Sequence, residues 1–326
     1  MMFSIITEAN IKLWSRIGPR PAFGFVASEL VSRNSDIVVI SADVVSSGGL
    51  EPLRRKYPEN FIEVGIAEQN MIGIAAGLAS ENFRVITTTF APFQTMRCCE
   101  QIRVNLGYMN KCGRRICMVG LAGGLVLGTQ GFTHCCFEDV AVLRGIPNLT
   151  IVSPADCCEL AKALITAVDY LNPVYVRLTG GIRNPVVYSA DYNFEIGKSI
   201  RLRAGEDVTI IACGTMVYAA LEAAKILETN SISAAVVNMH TIKPIDKEAI
   251  EFACKKTRLI VTVEEHNIIG GLGSAVAEHK ATLPNSPAQL FIGIPDSFCK
   301  PGDYQYLLKN FGLTPESIAT KIRTTL

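Results

Sequence analysis

Residues 63–79 read EVGIAEQNMIGIAAGLA. From Ala67 onward the pattern predicts a helix, and it is crowded with small residues: Gly65, Ala67, Gly73, Ala75, Ala76, Gly77 and Ala79. A glycine inside a helix costs about 1 kcal/mol relative to alanine, so Gly73 and Gly77 call for a packing reason. Small side chains let a second helix or subunit approach the backbone closely. Glu68 stands near the start of this apolar helix. A helix N-terminus favours a carboxylate on electrostatic grounds alone. The sharper reading is a buried acid with a raised pKa, able to stay protonated and donate to a ligand nitrogen.

On either side, short apolar runs rich in β-branched residues alternate with helical patterns. The predicted strands are Asp36–Ser41, Arg84–Thr89, Arg115–Gly120, Leu149–Ser153 and Val174–Leu178. A second set follows at Val208–Cys213, Ala234–Met239, Leu259–Glu264 and Gln289–Gly293. Continuous apolar strands between helices imply an α/β fold with mainly parallel sheets covered on both faces. Gly180–Gly197, with Gly180-Gly181 and Pro185, reads as a linker. The expected domains are 1–192, with a helical arm over the first 20 or so residues, and 193–326. Ligands of a parallel sheet sit beyond the carboxyl ends of its strands. Asp43, Ser47, Phe90, Phe93, the 123–134 loop and Arg177 all fall at such places.

Composition narrows the function. The chain has 326 residues, 49% of them apolar, and a formal charge of +1. No basic excess exists to neutralise phosphates, which argues against a nucleic-acid partner. No stretch approaches about 18 uninterrupted apolar residues, so no membrane span is expected. Met1–Leu13 has neither a basic leader nor a small-residue cleavage site, and no signal peptide is read there. The 11 cysteines include three adjacent pairs and no CxxC. That pattern suits reduced, mostly buried thiols in a cytoplasmic enzyme and gives no zinc-ligand spacing.

The stretch at 63–79 closely resembles the pyrimidine-binding domain of transketolases and of 1-deoxy-xylulose-5-phosphate synthases. Further matches come in family order: SAD at 41–43, TTF with Phe90, QGFTH at 130–134, EDVAVLRGIPNLTIVSPAD at 138–156 and VRLTGG at 176–181. VTVEEHNIIGGLGSAVAE at 261–278 resembles the family's C-terminal domain. The resemblance implies a thiamine-diphosphate enzyme. Glu68 would hydrogen-bond the aminopyrimidine ring nitrogen and drive the ring into its imino form, from which the thiazolium carbon loses its proton. Phe90 and Phe93 would wall that ring, Met96 would fill the place of a further aromatic, and Asp43 would lie near the cofactor. Arg20, Ser47 and Arg177 would grip a sugar phosphate, since an arginine fork donates two hydrogen bonds to an oxyanion. His134 would face the reacting carbon. Ordinary alternatives stand beside each of these: core packing for the phenylalanines, a strand-end turn for Asp43, and salt bridges for the arginines.

Departures from the family pattern carry information too. Ala122 stands where the family usually has histidine, and Gln130 where it usually has aspartate. The pocket should be more neutral and roomier there, which suggests a modified sugar acceptor. Gly270-Gly-Leu-Gly-Ser274 resembles a phosphate-cradling loop only weakly, and the C-terminal half carries no firm catalytic role. His240, His266 and His279 read as structural. The Gly-Asp-Gly motif that holds the diphosphate and its magnesium ion is absent; the one Gly-Asp, Gly302-Asp303, continues to Tyr304. The chain has about half the family's length. The resemblance therefore implies an N-terminal, diphosphate-binding partner subunit that holds Mg2+, with thiamine diphosphate shared between the chains. Self-association through the Glu68 helix would give an α2β2 assembly. The rival readings are a deoxyxylulose-phosphate synthase, a 2-oxoacid dehydrogenase β subunit and a non-catalytic regulatory paralogue.

Overall fold

Every predicted strand run holds a strand in the computed structural model, which describes residues 5–109, 113–298 and 300–326. The strands are β1 (Ile37–Ser41), β2 (Phe61–Glu63), β3 (Arg84–Phe90), β4 (Ile116–Leu121), β5 (Thr150–Val152), β6 (Val174–Arg177), β7 (Ile200–Arg203), β8 (Val208–Ala212), β9 (Ala234–Asn238), β10 (Thr241–Lys243), β11 (Leu259–Asn267) and β12 (Ala288–Ile294). β1, β4, β5, β6, β8 and β9 are buried at every position. Their unbroken apolar runs are what a sheet covered by helices on both faces requires.

Two sheets result. The first has seven strands in the order β10-β5-β6-β4-β3-β1-β2, and the second five in the order β12-β11-β8-β9-β7. All pairings are parallel except β10 with β5 and β7 with β9. Edge positions tolerate short or polar strands, and β2, β7 and β10, all at sheet edges, are the strands the sequence pattern does not announce. β10 comes from the C-terminal half yet pairs with β5, Thr241 opposite Val152, so the second half of the chain completes the first sheet.

The stretch from 178 to 199 contains no helix or strand. It is packed all the same. Asp156, which caps the helix Cys157–Ala167, accepts the backbone N–H groups of Val187 and Tyr188 at 2.7 and 2.8 Å. Phe194 lies 4.4 Å from the ring of His240. The predicted linker is a strap tied to both halves. Among the described residues, no helix is long and apolar enough to cross a membrane.

Candidate active site

The order β4-β3-β1-β2 brings four carboxyl ends side by side. Phe90 closes β3, Asp43 follows β1, the helix Glu68–Ser80 follows β2, and the 122–134 segment follows β4. Residues far apart in sequence meet there because parallel strands all point the same way.

Glu68 is the first residue of its helix and is 4% exposed. Arg97 Nη1 donates to Glu68 Oε1 at 2.6 Å. The same guanidinium stands 4.1 Å over the ring of Phe93. Phe93 meets His134 edge-on at 5.4 Å, and Phe90 lies 6.4 Å from Phe93 and 6.1 Å from His134. The structure brings Glu68, Phe90, Phe93 and His134 together in one wall, with Met96 exposed nearby on the same turn. Arg97 is the member that sequence reasoning missed. Its place four residues after Phe93, on one face of a helical turn, is a usable signal for the ring contact. Nothing in the sequence signals its pairing with Glu68. Cys98 donates to the carbonyl of Phe93 at 3.1 Å. Burial, with Glu68 adding to it, pushes the Cys98 thiol up to about 12, so it is no nucleophile at neutral pH.

The wall fits an aminopyrimidine. Between the face of Phe93 and the buried carboxylate of Glu68 lies a planar, N–H-bearing group, the Arg97 guanidinium. A flat ring with a hydrogen-bonding edge makes the same two contacts. Asp43 is exposed, adopts a positive φ of 55°, and donates its N–H to Glu63 Oε1 at 2.8 Å. That carboxylate also accepts the N–H of Gly65 at 2.9 Å, which joins the Asp43 turn to the approach of the Glu68 helix. Among the described residues, no group of three or more His, Cys, Asp or Glu side chains could hold a metal ion.

The 122–134 segment is held from the C-terminal half. Glu265 Oε1 accepts the N–H of Leu125 at 2.7 Å, while Oε2 accepts the Tyr304 hydroxyl at 2.7 Å and that of Thr215 at 3.0 Å. Burial raises the pKa of Glu265. Gly302 N donates to Gly128 O at 3.2 Å, and Phe298 packs 5.1 Å from Phe132. The C-terminal half, expected to carry no firm catalytic role, positions the loop that carries His134. Thr133 Oγ1 lies 3.0 Å from His134 Nδ1. Gln130, at the end of a 3-10 turn, is exposed. Ala122 is 1% exposed and adopts a positive φ of 55°.

Arg177 also departs from expectation. It ends β6 but is 2% exposed. Its Nε donates to Asp139 Oδ2 at 2.7 Å, and its Nη2 to the carbonyls of Cys136 and Glu265 at 2.9 and 3.0 Å. Burial pulls the guanidinium pKa down, but Asp139 and Tyr175 outweigh it and the net shift is upward. A fork spent on protein acceptors at a domain junction is not presented to a sugar phosphate. Arg20 differs: its guanidinium is half-buried, desolvation lowers its pKa, and no ion pair engages it among the described residues. It is the second residue of the helix Pro19–Arg33, whose Pro21 packs against Gly49, on the half-buried Ser47 turn.

The Gly270–Ser274 loop cradles the protein's own carboxylate. Leu272 N and Gly273 N donate to Glu264 at 2.6 and 2.8 Å, which fills the helix N-terminus. Burial raises the Glu264 pKa to about 7 despite those bonds. His266 is buried, its Nδ1 donates to the carbonyl of Asn267 at 2.7 Å, and its pKa is lowered to about 4 by burial. Among the described residues the nine cysteines form no disulfide; Cys112 and Cys299 lie outside the described residues.

Comparison with known proteins points to one family. The family model "transketolase, pyrimidine binding domain" matches residues 16–182, and "transketolase, C-terminal domain" matches 197–318. A subunit of the apulose-4-phosphate transketolase of Phocaeicola vulgatus is 39% identical over 304 residues, 93% of this chain and 95% of that protein. The 6-deoxy-6-sulfo-D-fructose transketolase subunit SqwH of Clostridium sp. (strain MSTE9) is 39% identical over 293 residues, 89% of this chain and 88% of that one. A solved split-gene transketolase, an inactive β4 tetramer, superposes with a TM-score of 0.84 at 37% identity and covers 94% of this chain and 97% of its own.

Proposed function

This chain belongs to the transketolase family, and from that premise we propose that it is the cofactor-activating subunit of a two-chain, thiamine-diphosphate-dependent transketolase. The reaction is transfer of a two-carbon ketol unit from a ketose donor to an aldose-type acceptor. One observation carries the reading: the buried Glu68 carboxylate and the Phe90–Phe93–His134 wall converge at adjacent strand ends.

Bound thiamine diphosphate supplies the nucleophilic carbon that carries the two-carbon unit. Glu68, buried at the start of its helix, would share a proton with the pyrimidine ring nitrogen through its carboxylate. Phe93 offers its face to the ring, and Phe90 closes the side. His134, with Nδ1 held near the Thr133 hydroxyl, would offer Nε2 to the substrate oxygen. Asp43 lies at the cofactor's edge, and Arg20 with Ser47 receives the charged end of the substrate. The partner subunit holds the diphosphate and Mg2+.

Inactivity of the related β4 tetramer supports the need for a second chain. Gly73 and Gly77 are exposed, with nothing within 4 Å of where a Cβ would stand, which suits a helix that packs against another subunit in an α2β2 assembly. Exposed Gln130 in place of an aspartate, and Arg177 turned inward, support an acceptor other than ordinary pentose phosphate. The test is reconstitution with the diphosphate-binding partner chain. The pair should be active, either chain alone inactive, and Glu68→Ala should cut the rate by about 10²-fold or more. Full activity of this polypeptide alone would overturn the split arrangement. An unchanged rate for Glu68→Ala would make the chain a regulatory subunit.

A further inference from the structure

Arg97 bridges the two surfaces that an aminopyrimidine needs. Its Nη1 donates to Glu68 Oε1 at 2.6 Å, and its guanidinium carbon lies 4.1 Å from the centroid of Phe93. A guanidinium is planar, carries N–H donors around its edge and stacks on aromatic faces. An aminopyrimidine shares that shape: a flat π face and a hydrogen-bonding rim. Both groups therefore compete for one place.

We propose that Arg97 is a built-in occupant of the aminopyrimidine position, which holds the face of Phe93 and the carboxylate of Glu68 until the cofactor ring displaces it. The proposal rests on the thiamine diphosphate reading above.

The surroundings are built for such an exchange. The Glu68 side chain is 5% exposed, and a buried carboxylate without a counter-charge is costly. In the chain by itself Arg97 meets that need. The Arg97 side chain is 43% exposed, so it has a route into solvent. Its backbone is anchored independently: Gln69 Nε2 donates to Arg97 O at 3.1 Å, and Arg97 N donates to Pro92 O at 3.4 Å. Phe93 is tied down by the Cys98 thiol on its carbonyl and by the ring of His134. The walls of the slot are fixed while its occupant is a long, flexible side chain. Displacement leaves Glu68 paired with the ring and not with an arginine, so the acid changes partner without ever being left alone.

A site that is filled most of the time binds its ligand more weakly, in proportion to the fraction of molecules in which it is free. The experiment uses the complex reconstituted with the diphosphate-binding chain, titrated calorimetrically with thiamine diphosphate and Mg2+. Arg97→Ala and the bulkier, polar Arg97→Gln should both bind the cofactor more tightly. The gain is about tenfold if Arg97 fills the slot in about nine molecules of ten. Without cofactor, each variant chain should melt at a lower temperature than the unchanged chain, because Glu68 loses its partner, and saturating cofactor should close most of that gap. If the unchanged complex binds cofactor and both variants bind it equally or less tightly, the proposal is wrong and Arg97 instead positions Glu68. If no form of the complex binds cofactor, the thiamine diphosphate reading falls and takes the proposal with it.

Discussion

Replacing Arg177 with methionine separates a junction residue from a substrate-binding one. The side chain is 2% exposed, and its partner Asp139 is fully buried. Without the guanidinium, Asp139 keeps the Tyr175 hydroxyl at 2.7 Å, while its Oδ1 already has no hydrogen bond. Removing one member of a buried ion pair costs about 3–5 kcal/mol. The carbonyls of Cys136 and Glu265 each lose a bond worth about 1 kcal/mol. The expected loss is therefore about 5 kcal/mol, seen as a fall in Tm of roughly 10 °C. Arg177→Met combined with Asp139→Leu should recover a large part of it, since apolar replacement of a whole buried pair is often close to neutral. In the reconstituted enzyme, the folded Arg177→Met subunit should keep its KM for a phosphorylated substrate. Arg20→Met should do the reverse, with a small change in Tm and KM raised by about tenfold or more. The measurements are thermal melting of the chain and initial rates of the complex. A normal Tm for Arg177→Met together with a tenfold higher KM would refute this account of the junction.

Two further outcomes follow from particular residues. Burial depresses the His240 imidazole to about 4 from its ordinary 6.5, against a smaller upward pull from Asp246. A depressed folded pKa gives stability that is present above about 6.5 and lost as pH falls through about 4, worth up to about 3 kcal/mol. His240→Gln should therefore show a smaller fall in urea midpoint between pH 7 and pH 4.5, and identical slopes for the two proteins would sink the idea. Gly73 has nothing within 4 Å of its absent Cβ, so Gly73→Leu should leave the folded chain intact while weakening self-association by sedimentation velocity; unchanged association would place the subunit contact elsewhere.

The longer strands are legible because a parallel strand covered on both faces must be an apolar run of a few residues, and each such run stands out locally. β2 and β10 are three residues long. Their pairing depends on which neighbour the fold supplies, and β10 finds its neighbour across the domain boundary. Glu68, Phe90, Phe93 and His134 are legible as candidates because the order of the motifs singles them out, whereas Arg97 is not.

Residue type alone misleads where burial decides. Arg177 has the right chemistry for an oxyanion, but Asp139, 38 residues away, takes its Nε inside the junction. The glycine-rich turn at 270 has the shape of an anion cradle, yet Glu264 fills it. Arg97 pairs with Glu68 across 29 residues, and Glu265 reaches Leu125 across 140. By itself the sequence determined the fold class and the family, and put Glu68 forward as a candidate, because these depend on local periodicity and motif order. Only the tertiary structure decided which charges are spent within the protein and which side chain stands in the slot. Those outcomes depend on what each group meets when distant segments pack and water is excluded.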